Sequence, residues 1–109
     1  MSNETDGQTD NNVSSLYVSE NEHEIDILGV KVYLREIPGE EYMSIVDKCT
    51  DSSQRLNRKA YLRALVDKLV VRPKLDPSKL NSPASAIFLY EAEKLLGVSE
   101  EAIKNFEGR

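Results

Sequence analysis

The hydrophobic period of this chain changes once. Between Glu24 and Leu34 apolar residues recur at every second position, and from Pro38 to Gly97 they recur at about 3.6, in segments separated by clear breaks. Such a chain is restricted to a small hairpin followed by helices. Ile25 and Ile27, then Val30, Val32 and Leu34, alternate with Asp26, Lys31, Tyr33 and Arg35 around Gly29, the pattern of two half-buried antiparallel strands joined near a glycine. Tyr42, Ile45, Val46 and Cys49 then stand at i, i+3, i+4 and i+7. They line one face of a helix whose first turn carries Glu40 and Glu41, where carboxylates favour the positive end of the dipole.

After the polar stretch TDSSQ the spacing predicts a long helix over about residues 53–71, with Asp51, Ser52 and Ser53 as candidate N-caps. Leu62, Leu65, Val66, Leu69 and Val70 form its core stripe, extended by Leu56 and Ala60. Arg55, Arg58, Lys59 and Arg63 fill much of the rest of its first half, with Tyr61 among them. Pro73 and Pro77 each remove a backbone donor and push the residue before them out of helical geometry, so RPKLDP reads as a stiff extended connector anchored by Leu75. Ser82 and Pro83 read as N-cap and first position of the next helix, which runs through Ile87, Phe88, Ala92 and Leu95 to a stop at Gly97. Its apolar set, Ala86 to Tyr90 with Leu95 and Leu96, is too broad for one stripe. The helix is therefore either central in the fold or partly given to another subunit. Ser99 with Glu100 and Glu101 opens a final short helix carrying Ala102, Ile103 and Phe106, a cap or docking element. The expected fold class is α+β: a short antiparallel hairpin and three to five helices in one domain over residues 22–109.

The segment from Glu24 to Gly97 resembles the tail assembly chaperones of long-tailed bacteriophages and defective prophages. The resemblance rests on VKVYLREIPGEEYMSIVDKC, a strand running into a helix through a Pro/Gly turn, and on LVVRPKLDPSKL, where a helix ends in a basic, proline-bounded loop. It is one of order, spacing and size over roughly two thirds of the chain, and neither string is diagnostic by itself. The resemblance implies a non-enzymatic protein of the host cytoplasm that stays out of the mature virion. Such a protein self-associates, coats the tape measure protein and helps recruit tail tube subunits.

Charge divides the chain unevenly. Residues 1–24 hold Glu4, Asp6, Asp10, Glu20, Glu22 and Glu24 and no Lys or Arg, whereas the remainder carries 13 acids against 14 bases. The net −5 thus belongs to the arm, and the folding part is nearly neutral. MSNETDGQTDNN has no apolar residue after Met1 and cannot offset its ordering entropy, so residues 1–21 are expected to form a disordered acidic arm; Val13, Leu16, Tyr17 and Val18 are its only means of docking. Within residues 51–79 eight bases face three acids. A run of that kind is ordinarily a solvated face. Its functional reading is an electrostatic contact with an acidic partner: another protein, another subunit or the arm itself. The candidate protein-binding residues are accordingly Arg55, Arg58, Lys59 and Arg63 from the basic face, with Phe88, Tyr90 and Leu96 from the apolar helix.

Other classes have less warrant. The single histidine, His23, lies in an acidic run far from any nucleophile, and the lone Cys49 sits on an apolar helix face as a small hydrophobe. No GxxxxGK[ST], GxGxxG or CxxC occurs, so no cofactor or metal is expected. Nucleic-acid binding would use the basic helix, yet a pI near 4.9 and a competing acidic arm oppose it. No stretch approaches the ~20 apolar residues of a membrane span, and the first residues lack the basic and apolar regions of a secretory signal, so no membrane contact and a cytoplasmic location are expected. The alternative to the chaperone is a small cytoplasmic adaptor or regulator that binds an acidic partner.

Overall fold

A computed structural model describes residues 13–98. The expectations for residues 1–12 and for the short helix after Ser99 lie outside the described residues. β1 (His23–Ile27) and β2 (Val30–Leu34) form the hairpin, in antiparallel register from Ile27↔Val30 to His23↔Leu34. Its two-residue turn holds Leu28 at φ 52° and Gly29 at φ 90°, both left-handed as a tight hairpin turn requires. The Gly29 amide donates to Asp26 Oδ1 at 2.8 Å. Ile27, Val32 and Leu34 are buried on one face, with Ile25 packed beside them, while Glu24, Asp26 and Lys31 remain exposed on the other.

Helix α1 (Gly39–Cys49) buries Tyr42, Ile45, Val46 and Cys49, the four positions that its spacing singled out. Helix α2 is shorter than the sequence suggested: it runs from Arg58 to Leu69. Two local causes set its start. The Asp51 carboxylate accepts from the amides of Ser53 and Arg55, committing 51–55 to a turn, and Asn57 accepts from the Ala60 amide as the actual N-cap. At its other end the chain leaves the helix to pair, so that Val70–Arg72 forms β3 beside β2. The hairpin thereby becomes a three-stranded antiparallel sheet of order β1-β2-β3. An irregularity between Tyr33 and Leu34 shifts this second register, and the Arg35 amide extends it by donating to Leu69 O at 2.9 Å.

The connector after β3 contains a 3-10 turn over Pro77–Lys79, with Asp76 accepting from the Ser78 amide and hydroxyl. Leu75 packs partly against the core, as expected of an anchor. Helix α3 (Ser82–Leu96) starts one residue earlier than the Ser/Pro reading gave. Asn81 is its N-cap, bonded to the Ala84 amide at 2.8 Å, and Ser82 and Pro83 are already helical. Gly97 ends it at φ 73°, with the Val98 amide returning to Glu93 O and that of Gly97 to Lys94 O, which turns the chain back on the helix. α3 packs on α2 and on β1, and the core closes around Tyr61, Phe88, Leu34, Leu65, Leu69 and Val32.

Candidate interaction surface

Of the seven residues proposed for partner contact, Phe88 is withdrawn. It is 0% exposed, enclosed where α3 meets the rest of the core, and its loss would open a cavity instead of a contact. Tyr61 is likewise corrected: it sits at 1% exposure and not among the charges of the outer face. Its position in α2 is on the side of Leu65 and Leu69, and a tyrosine is tolerated there because its hydroxyl is answered twice. Tyr42 Oη lies 3.0 Å away, and Tyr61 Oη donates to Glu93 Oε2 at 2.9 Å. The two rings meet edge to face with centroids 6.4 Å apart. Burial, then the bond to Tyr42 and the adjacent Glu93 carboxylate push the Tyr61 phenol far above its ordinary range; burial also raises Tyr42. Both phenols therefore stay neutral, and the chain of hydroxyls joins α1, α2 and α3 as a brace with no proton to give or take near neutrality.

The remaining cations do not make one patch. Arg58 begins α2 on the side turned to α3 and lines a groove with Ala86, Leu89, Tyr90, Glu93 and Lys94. Tyr90 is 64% exposed there, and Lys94 Nζ lies 5.5 Å from its ring centroid. Lys59 and Arg63 are exposed, and Arg63 lines a different groove with Val66, Asp67, Val71, Lys74 and Pro77. Arg55 precedes the helix in the exposed 51–55 turn. Sequence spacing grouped the four because they are near in order; the late start of α2 removes Arg55 from the helix, and helical rotation separates Arg58 from Arg63. The structure does bring Arg58 and Tyr90 into one groove, which the sequence kept in two separate lists.

Leu96 belongs to a third surface, missed from sequence. Partly buried Leu95 and Leu96 at the end of α3 line an open groove with Ile37, Tyr42 and the 58%-exposed Met43 of α1; Leu16, Tyr17 and Val18 line it as well. Most of its lining side chains are apolar. Its side chains come from three parts of the chain, and only Met43, standing off the stripe of α1, was a local signal. The segment carrying Leu16 to Val18 is tied to the domain downstream, where the Ser19 amide donates to Glu36 Oε1 at 3.0 Å and Arg72 Nη1 meets Glu22 Oε1 at 2.7 Å. Leu16 and Tyr17 nevertheless stay 81% and 69% exposed. His23 Nε2 stands 3.3 Å from Glu36 Oε2, outside hydrogen-bonding geometry.

Compared with protein-family models, curated proteins and solved structures, the chain finds no match. Among the described residues no helix is long and apolar enough to cross a membrane. Cys49 is buried, and that burial pushes its thiol upward, away from the reactive thiolate.

Proposed function

We propose that this protein is a non-enzymatic tail assembly chaperone of a long-tailed phage or prophage, one that self-associates and shields the apolar stripes of a tape measure protein in the host cytoplasm until tail tube subunits replace it. The observation that carries the reading is the open apolar groove between α1 and the end of α3, with Leu16, Tyr17 and Met43 exposed at it. A small domain whose core is already closed gains nothing from leaving these side chains in water, whereas a helical client lays just such a stripe into a groove. The sequence resemblance supports the same reading. Its first string covers β2, the Pro38–Gly39 turn and α1, and its second covers the end of α2, β3 and the connector. Because tube subunits must displace the coat, each contact is modest and affinity comes from repetition along the client.

The test is sedimentation across concentration and salt, with and without a tape measure fragment. Assembly that weakens in part with salt, together with retention of the fragment in solution, is the expected result. A strict monomer that leaves the fragment to precipitate overturns the reading. A second reading, an adaptor for an acidic partner, is favoured by one observation: Arg63 and Lys74 line a single surface groove. That complex would dissociate almost completely at high salt, which separates it from the first.

A further inference from the structure

We propose that the outer edge of β1 is a docking site for an extended segment of a partner protein in which apolar residues alternate with lysine or arginine, added to the sheet as a further strand. The register shows that this edge is open. Ile27 and Val30 flank the two-residue turn and exchange both of their hydrogen bonds, so Ile25↔Val32 and His23↔Leu34 are the other bonded pairs. The N–H and C=O groups of Glu24 and Asp26 therefore point away from β2. Among the described residues no hydrogen bond reaches any of these four groups. β1 ends the sheet and lines none of the grooves described above, so this surface is separate from the client groove and its docking needs no client.

Charge and burial decide what fits there. Glu24 and Asp26 stand on the exposed face of the sheet, and Glu20 and Glu22 continue the same alternation in sequence. Lys31 meets Glu24 at 2.9 Å and Arg72 meets Glu22 at 2.7 Å, while Asp26 and Glu20 form no ion pair among the described residues. On the opposite face Ile25 is only half-buried, whereas Val32 and Leu34 on β2 are 1% and 0% exposed, so the core thins toward this edge. An incoming strand sets its basic side chains beside the acids and its apolar ones beside Ile25. β2, with Val30, Lys31, Val32, Leu34 and Arg35, has that composition and already occupies the inner edge of β1. A second copy of β1 does not fit. Every antiparallel register that joins two of the outward-facing residues sets acid against acid, Glu24 against Asp26 in the symmetric one. β3, at the far edge of the sheet, is three residues long and is followed by Pro73, which has no N–H to give a new strand.

The test uses the full, isotope-labelled chain and a short capped peptide of alternating valine and lysine, with hydrogen exchange read residue by residue by NMR at low salt. In the free chain the amides of Ile25 and Ile27 should be protected and those of Glu24 and Asp26 should exchange fast. With the peptide the second pair should slow by roughly tenfold or more. Outward-facing residues of β1 lie opposite the lysines of the bound peptide, so N-methylation of its lysine amides, which keeps the charge and removes the donors, should abolish the protection. Methylation of the valine amides should be tolerated. Glu24→Gln, with an unchanged far-ultraviolet spectrum, should weaken binding roughly threefold. Equal binding of the lysine-methylated peptide would overturn the proposal by showing adhesion to the acids alone. A peptide that slows neither amide would overturn it too, leaving the acids as a guard against edge-to-edge aggregation. Protection of Glu24 and Asp26 in the free chain would show the edge already covered, by the chain itself if it is independent of concentration and by a second copy if it grows with concentration, and either result overturns the proposal.

Discussion

Tyr61 illustrates how one side chain takes its role from its neighbours. Sequence gives it as an aromatic among bases; the fold gives it a hydroxyl partner on either side, Tyr42 and Glu93, and removes it from water. Tyr61→Phe should cost about 1–3 kcal/mol, measured by urea unfolding, because the Tyr42 hydroxyl loses its partner in a buried position. The same pair predicts alkaline behaviour. The unfolded chain releases phenolic protons near pH 10 while the folded chain holds those of Tyr42 and Tyr61 more tightly, Tyr61 most, so their contribution is full below about pH 10 and lost as pH rises beyond it. The Tyr61→Phe variant should show a shallower fall over that range than the parent. Leu28 offers the opposite case, a side chain at positive φ and 58% exposed. Leu28→Asn should stabilise by about 0.5–1 kcal/mol, read as a rise in the urea midpoint, since asparagine accepts the left-handed turn at lower cost.

The elements owe their limits to short-range chemistry. α2 begins where Asn57 can cap it, and Asn57→Ala should cost about 1 kcal/mol while leaving the fold intact by circular dichroism. α3 ends where Gly97 can turn left, and Gly97→Ala should cost about 1–2 kcal/mol for the same backbone. The packed stripe of α2 sets a larger scale. Leu65 and Leu69 are each 0% exposed, and truncating either to alanine should cost about 2–5 kcal/mol by thermal or urea unfolding.

For the molecule as a whole, the division of charge and apolar surface is what bears on function. Six acids lie in residues 1–24 without a base, and in the folded part the apolar groove and the Arg58–Tyr90 groove meet at Val98, while the Arg63–Lys74 groove shares no lining residue with either. Deleting residues 1–12 should leave the thermal midpoint nearly unchanged, because that stretch has no apolar residue after Met1 to contribute to a core. A fall of many degrees in calorimetry would make it part of the fold. Self-association, if it uses apolar surface for area and exposed cations for register, should retain a salt-resistant fraction in sedimentation.

The alternation around Gly29, the stripe of α1 and the Gly97 stop were legible from sequence because each is a local pattern that the backbone reads within a few residues. Helix ends were less so: Asp51, Ser52, Ser53 and Asn57 all suit a cap, and only the turn that Asp51 closes selects the last of them. What sequence left open was every relation between distant residues. Val70–Arg72 continues the period of α2 on paper and becomes a strand because β2 presents an unpaired edge beside it. Phe88 reads as spare apolar surface until the other elements close over it. The candidate groove gathers Leu16, Met43 and Leu96 from three separate parts of the chain. Sequence by itself determined which faces are apolar, since that is a property of spacing; only the tertiary structure decided which of those faces are left for a partner, since burial depends on what packs against them.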